Sequence, residues 1–191
     1  MKNILFVQSS VLGDNSQTNR VANALRTELS QRRPQDTHIV RDVGVQPLPH
    51  LRAEHLGQPP QEGVQALAEL KAADALVVCA PMYNFSIPST LKAWLDHVLK
   101  AGETFRYTEA GPQGLLTGKK VLLVVGTGGV YSEGAYKPFD FVEPYLRTAL
   151  GFIGITDVTV VRVEGSAVQA ELGQRSAAAA EQAAKAWAQS L

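Results

Sequence analysis

Asp74-Ala75-Leu76-Val77-Val78-Cys79-Ala80 is a nearly unbroken apolar run that passes straight into Pro81-Met82-Tyr83-Asn84-Phe85-Ser86-Ile87-Pro88. A strand with one wet face alternates apolar and polar residues, whereas a strand covered on both faces does not. The run therefore predicts a buried parallel strand that leaves its sheet through a loop stiffened at both ends by proline. Similar runs predict strands at about Asn3–Gln8, Thr37–Asp42, Lys119–Gly126 and Asp157–Glu164, which with Asp74–Ala80 makes five. Helical periodicity fills the gaps at about Gln17–Gln31, Gln61–Ala72, Pro88–Ala101 and Pro138–Leu150, with a last helix near Gln169–Ser190.

The third helix is the clearest, because Leu91, Trp94, Leu95, Val98 and Leu99 recur on one face. Pro88 suits its first turn and Gly102 its carboxyl cap. The last helix is rich in alanine and reads as a surface helix closing the sheet. Val43–Pro60 and Glu103–Gly118 read as irregular. Strands alternating with helices imply right-handed crossovers and an α/β, doubly wound sheet with helices on both faces. In such sheets ligands sit beyond the carboxyl ends of the strands, so the search narrows to the loops after the first, third and fourth.

The bulk numbers narrow the function classes. A chain of 191 residues suits one domain, residues 1–191, and at that size about 70% of the unfolded surface can be buried without a staple. Eighteen basic residues balance eighteen acidic ones, so no general field favours nucleic acid or an anionic membrane. No stretch approaches the ~18 apolar residues of a membrane span. The amino-terminal apolar run is too short for a signal peptide, and the single cysteine, Cys79, excludes an internal disulfide or a cysteine metal cluster. A cytoplasmic protein is expected.

After the first strand, Ser9-Ser10-Val11-Leu12-Gly13-Asp14-Asn15-Ser16-Gln17-Thr18-Asn19 gathers hydroxyls and amides where a helix begins. Unpaired N–H groups and the helix dipole suit a phosphate there, although Ser16 acting only as a helix cap explains the same residues. The loop lacks G-x-x-x-x-G-K-[ST] and G-x-G-x-x-G. After the third strand, Met82, Tyr83, Asn84 and Phe85 place aromatics and an amide where a flat ring with polar edges could cover them; tucking into the core is the competing reading. After the fourth, Gly126-Thr127-Gly128-Gly129 lets backbone approach a ligand. Together these loops fit a mononucleotide better than a metal or an acyl group.

Several rivals fall away. A cysteine phosphatase needs arginine six residues beyond its cysteine, and Phe85 stands there. The hydrolase elbow G-x-S-x-G is absent. A phospho-acceptor domain wants acidic residues where Ser9 and Pro81 stand, and His38, His50, His55 and His97 show no metal-ligand spacing. His97 is expected to be exposed or at an interface.

Ala80-Pro81-Met82-Tyr83-Asn84-Phe85, then Thr104-Phe105-Arg106-Tyr107, then Leu150-Gly151-Phe152-Ile153-Gly154-Ile155 resemble the FMN-dependent NADH-azoreductase family, a flavodoxin-like group that also reduces quinones. The resemblance runs over nearly the whole chain. It implies a flavodoxin-like sheet of order 2-1-3-4-5 and bound FMN. Ser10 with Ser16, Gln17 and Thr18 would hold the phosphate. Met82, Tyr83, Asn84 and Phe85 would support the isoalloxazine ring, and Gly126, Thr127, Gly128 and Gly129 would lie along its other side. The family is homodimeric, with Phe85, Tyr107 and the partner chain's Phe152 lining the substrate pocket. Two departures stand out: many relatives carry Ser-Arg where this chain has Gly126-Thr127, and Val43–Pro60 is shorter than in several relatives.

The expected reaction is electron transfer from NADH or NADPH to quinones and azo compounds in two alternating half-reactions, the hard chemistry belonging to the flavin. No side chain need act as acid, although Tyr107 and Tyr131 are candidates for moving protons. The competing reading is a non-enzymatic flavodoxin-like electron carrier; the zero net charge argues against the acidic docking face such carriers use.

Overall fold

Alternate residues of a strand face opposite ways, and in the central strands both ways lead into apolar packing. In a computed structural model, which describes residues 1–191, Leu5 and Val7 of β1 (Asn3–Gln8), Leu76 and Val78 of β3 (Ala75–Pro81) and Val121 and Leu123 of β6 (Lys120–Gly126) join one buried cluster. Their neighbours Ile4, Phe6, Val77, Cys79, Leu122 and Val124 join a second cluster on the other face. This is why no polar residue interrupts these runs.

Helices α3 (Gln61–Ala72), α4 (Ser89–Val98) and α5 (Glu143–Phe152) cover the first face, through side chains such as Leu70, Trp94 and Leu146. Helices α1 (Gln17–Arg32) and α6 (Ala170–Ala188) cover the second, where Leu25 and Leu29 meet Ala180, Ala184 and Trp187. The alanines of α6 let it lie close to α1, so the composition that marked a surface helix also serves its packing. Trp94 is fully buried, and a side chain of this kind is worth roughly 3–5 kcal/mol against alanine.

The five strands pair in parallel in the order β2-β1-β3-β6-β7, with β2 at Thr37–Asp42 and β7 at Asp157–Val163. This is the expected 2-1-3-4-5 once a separate antiparallel hairpin, β4 (Phe105–Thr108) and β5 (Gly111–Gly114), is set aside. That hairpin lies in Glu103–Gly118, which was expected to be irregular. In the register Gln8 stands opposite Cys79, Pro81 opposite Gly126, and Gly126 opposite Val163. Strand ends thus align, and the loops after β1, β3, β6 and β7 meet at one edge.

Four local expectations change. The helix expected at Pro138–Leu150 is two pieces: a 3-10 turn, Gly134–Phe139, and then α5. Pro144 cannot sit in a helix interior but suits the first turn, and Asp140 accepts hydrogen bonds from the N–H groups of Val142 (2.8 Å) and Glu143 (3.3 Å), starting the helix there. Pro88 precedes α4 as its cap residue, and Gly102, at φ 81°, lies in a turn beyond the cap Leu99. A short helix, α2 (Ala53–Gly57), interrupts Val43–Pro60. His97 is buried, with Nε2 2.8 Å from the Pro49 carbonyl and its ring 5.6 Å from that of His55, so it fastens this segment to α4 rather than facing solvent.

Candidate functional site

At the aligned strand ends lies a cavity of about 170 Å³. Ser10, Leu12, Asn15, Ser16, Gln17, Thr18, Pro81, Met82, Tyr83, Gly126, Thr127, Gly128, Val163 and Ser166 line it. None of these side chains carries a full charge.

Its floor is the start of α1. Ser16 caps the helix by accepting from the Asn19 N–H at 3.3 Å, and its hydroxyl lies 3.0 Å from that of Thr18. The N–H groups of Gln17 and Thr18 make no hydrogen bond within the chain. Capping therefore accounts for Ser16 without consuming the next two donors, which remain at the positive end of the helix dipole. The loop after β2 presses against this floor: a Cβ on Gly44 would come within 2.2 Å of the Ser10 carbonyl oxygen, so only glycine allows the approach.

One wall is the loop after β3. Tyr83 and Ser86 exchange backbone hydrogen bonds of 2.9 and 3.2 Å around Asn84 and Phe85, whose φ angles are 51° and 72°. Two-residue turns with both central residues left-handed are the territory of Asn-Gly; here phenylalanine takes the glycine's place, a strain of order 1–3 kcal/mol. The strained Phe85 is 50% exposed. Its ring centroid lies 6.2 Å from that of Phe139, the rings tilted by 50°, and its carbonyl accepts from the Phe141 N–H at 3.1 Å. Phe85 is therefore not tucked into the core. The Tyr83 hydroxyl lies 3.2 Å from the Ser10 hydroxyl and 3.3 Å from the Val11 nitrogen, tying this wall to the floor. The N–H groups of Met82 and Tyr83 are already engaged, by Gly126 and Ser86, so only those of Asn84 and Phe85 are free for a ligand.

The opposite wall is the loop after β6. The Thr127 N–H donates to Val163 and its hydroxyl to the Gly129 carbonyl at 2.8 Å, while the Gly128 and Gly129 N–H groups have no partner in the chain. A Cβ on Gly126 would lie 2.6 Å from Cγ2 of Thr18, which fills the space a larger residue would need.

The structure thus brings Ser10, Ser16, Gln17, Thr18, Met82, Tyr83, Gly126, Thr127 and Gly128 around one cavity. Asn84 instead lines a neighbouring cavity of about 450 Å³ with Lys92 and Tyr145. Phe85 stands on the rim, and Gly129 lies behind its wall with its carbonyl accepting from Gly165. Tyr107 and Phe152 meet through Phe105, at ring distances of 5.6 and 4.6 Å, but line neither of these cavities within one chain. Sequence reasoning missed Val163 and Ser166, because it stopped at the loop after the fourth strand; the Glu164-Gly165-Ser166 turn after the fifth was the available signal. Cys79 is fully buried, and burial followed by the nearby Asp42 charge pushes its thiol pKa far up, so it offers no nucleophile.

The cavity's chemistry fits a mononucleotide. It has free N–H donors at a helix start for a phosphate and a glycine-rich wall, and the stiff turn beyond Tyr83 leaves two more donors free for a polar ring edge. Comparison with known proteins agrees. Residues 2–191 match the family described as having a flavodoxin-like fold. The chain is 46% identical over 185 residues to an FMN-dependent NADH:quinone oxidoreductase of Herminiimonas arsenicoxydans, covering 90% of this chain and 91% of that one. It is 45% identical over 179 residues to FMN-dependent NADH:quinone oxidoreductase 2 of Pseudomonas fluorescens, covering 86% and 88%. An azoreductase from Bacillus anthracis superposes with a TM-score of 0.91 at 25% identity over the full length of both chains. An FMN-dependent NADH-azoreductase of the same species, in complex with FMN, gives 0.86 at 26% identity over 98% of this chain and 99% of that one. The chain belongs to the flavodoxin-like family of FMN-dependent NADH:quinone oxidoreductases and azoreductases.

Proposed function

We propose that the whole chain, residues 1–191, is one FMN-binding domain that passes electrons from NADH to quinones and azo compounds. The observation that carries this reading is the cavity with no charged lining, which holds the unpaired N–H groups of Gln17, Thr18 and Gly128, with those of Asn84 and Phe85 free in the turn beyond Tyr83. FMN, when bound in this cavity, would supply the redox chemistry that links the dinucleotide's half-reaction to the acceptor's.

The chain's residues then have separable tasks. Ser10, Ser16, Gln17 and Thr18 hold the phosphate through hydroxyls and N–H groups strengthened by the helix dipole. The free donors of Asn84 and Phe85 serve the ring's polar edge, where preorganised dipoles stabilise developing charge. Gly126, Thr127, Gly128 and Gly129 form the wall along which the ring lies. Tyr83 is the one cavity-lining residue with a titratable side chain, and its hydroxyl is spent on Ser10 and Val11. No carboxyl, histidine or lysine lines this cavity.

The acceptor pocket in this reading is completed by a homodimer. Phe85 and Tyr107 stand exposed, and Phe139 and Phe141 add to an apolar rim that a second copy would cover, bringing its own Phe152 to the pocket. Such a pocket recognises flatness more than functional groups and accepts quinones and azo compounds alike. A reaction fed by NADH suits the cytoplasm.

The test is to load the purified protein with FMN, remove free flavin and add NADH without oxygen while following the visible flavin band. Rapid bleaching reversed by a quinone is expected. A bound flavin that neither NADH nor NADPH bleaches would overturn the enzymatic reading, and a protein that retains no flavin would overturn the reading of the cavity.

A further inference from the structure

β7 ends in Arg162-Val163, and the next residue, Glu164, is a carboxylate that is only 8% exposed. One of its oxygens accepts from two successive backbone donors, the N–H groups of Tyr131 at 2.8 Å and Ser132 at 2.9 Å. The same oxygen lies 3.5 Å from the Thr127 hydroxyl and 3.8 Å from Nη1 of Arg162. Glu164 is itself fixed, because its N–H donates at 2.9 Å to Ser176 of α6. A buried carboxylate is costly unless hydrogen bonds satisfy it, and bonds to an ionised acceptor are about twice as strong as neutral ones.

These bonds clamp the far end of the loop whose near end, Gly126-Thr127-Gly128, lines the cavity. Gly128 and Gly129 accept from Ala167 and Gly165 through their carbonyls, which turns the peptide planes but does not fix the loop's exit. Past Ser132 the chain enters the 3-10 turn and then reaches Asp140, which with Glu143 is held by Nη2 of Arg162. Arg162, at the end of β7, and Glu164, just beyond it, therefore fasten both ends of the segment that carries Tyr131, Tyr136 and Phe139.

We propose that Glu164 is a positioning residue of the cofactor site, holding Tyr131 and Ser132 so that the Gly126–Gly129 wall keeps the shape that receives the flavin ring. This rests on the reading that FMN occupies the cavity. A glutamine keeps an oxygen able to accept both N–H groups and loses the charge; an alanine loses both.

The experiment compares Glu164→Ala and Glu164→Gln by FMN titration and by amide exchange of the apoprotein. In Glu164→Ala the Tyr131 and Ser132 amides exchange faster, the β1 and β3 amides keep their protection, and the FMN Kd rises at least ~10-fold, as loss of both backbone hydrogen bonds implies. In Glu164→Gln those amides stay protected and the Kd stays within about 3-fold of the original. An unchanged Kd in Glu164→Ala overturns the proposal, as do unchanged amides at 131 and 132. Loss of β1 and β3 protection in both variants also overturns it, by showing a role in the whole fold. Failure of the underlying reading looks different: the unsubstituted protein takes up no FMN, while the amide exchange still responds to Glu164→Ala.

Discussion

Gly126→Ala tests how closely the proposed phosphate floor and ring wall are fitted to each other. The backbone at Gly126 is not left-handed, so alanine meets no conformational penalty there, and the whole effect comes from one contact. The new Cβ would lie 2.6 Å from Cγ2 of Thr18, whereas carbons rest at about 3.5–4.0 Å. About 1 Å of movement is required, and β6, buried on both faces, will not supply it. Thr18 must yield, either by leaving its rotamer and its 3.0 Å contact with the Ser16 hydroxyl or by carrying the start of α1 with it. Overpacking of this kind costs roughly 1–3 kcal/mol. A shifted helix start also misaligns the free Gln17 and Thr18 donors, each worth about 1.5–3 kcal/mol toward a charged phosphate. The FMN Kd should rise roughly 10–100-fold, since each 1.4 kcal/mol is tenfold. Thr18→Ser removes the offending methyl and keeps the hydroxyl, so the double variant should return to within about 3-fold of the original while Thr18→Ser alone changes little. Flavin-fluorescence titration of the four proteins closes the cycle. Additive losses, or an unimpaired Gly126→Ala, would refute the fit between these two residues.

Four further outcomes follow from the same geometry. Ser16→Ala removes the α1 cap, so apoprotein stability should fall by roughly 0.5–2 kcal/mol in denaturant melts and FMN affinity should fall with it; loss of neither would mean the helix start does not hold the phosphate. Phe85→Gly relieves a left-handed phenylalanine and should raise the apoprotein melting temperature by about 2–4 °C per kcal/mol gained, while turnover with quinone drops; a lowered melting temperature would count against strain at this turn. Burial raises the Glu143 pKa, but hydrogen bonds from Arg147 and Arg162 outweigh it and leave the carboxyl below its usual range. Its stability contribution is thus full above the unfolded value of about 4.3 and is lost as pH falls through the lower folded value. Glu143→Gln should therefore flatten the acid limb of the melting curve below that point, and parallel limbs would refute the assignment. Because no charged side chain lines the cavity, FMN affinity should change less than about 3-fold between 0.05 and 0.5 M salt, whereas a steep fall would reveal a cationic contact.

The apolar runs were legible because a strand covered on both faces has no polar side to conceal its pattern; β1, β3 and β6 fall within a residue of where Asn3–Gln8, Asp74–Ala80 and Lys119–Gly126 put them. Period says nothing about a two-strand hairpin such as Phe105–Gly114, whose second strand, Gly-Pro-Gln-Gly, contains almost no β-forming residue and forms by pairing with the first. Asp140 was likewise hidden: a carboxylate that starts α5 and binds Arg162 from β7 is a tertiary arrangement, and Pro144 was the one local sign of the break. At the site, residue types located Ser16, Tyr83 and Gly126. They could not show that Met82 and Tyr83 spend their N–H groups inside the protein while Asn84 and Phe85 do not.

The same distinction explains how a chain with no net charge, and a cavity with no charged lining, can suit a dianion. A lysine or arginine advertises a phosphate site in the sequence, but here the donors are N–H groups that every residue possesses. What would make them a site is that their usual partners are missing: α1 begins at Gln17, so no preceding α-helical turn accepts from Gln17 and Thr18, and the left-handed turn at Asn84-Phe85 leaves two more donors for a ring's polar edge. In the proposed site, anion affinity comes from where the fold's elements stop. Substitutions that move those stops, at Ser16, Gly126 or Phe85, should therefore disturb the cofactor more than removal of any surface lysine.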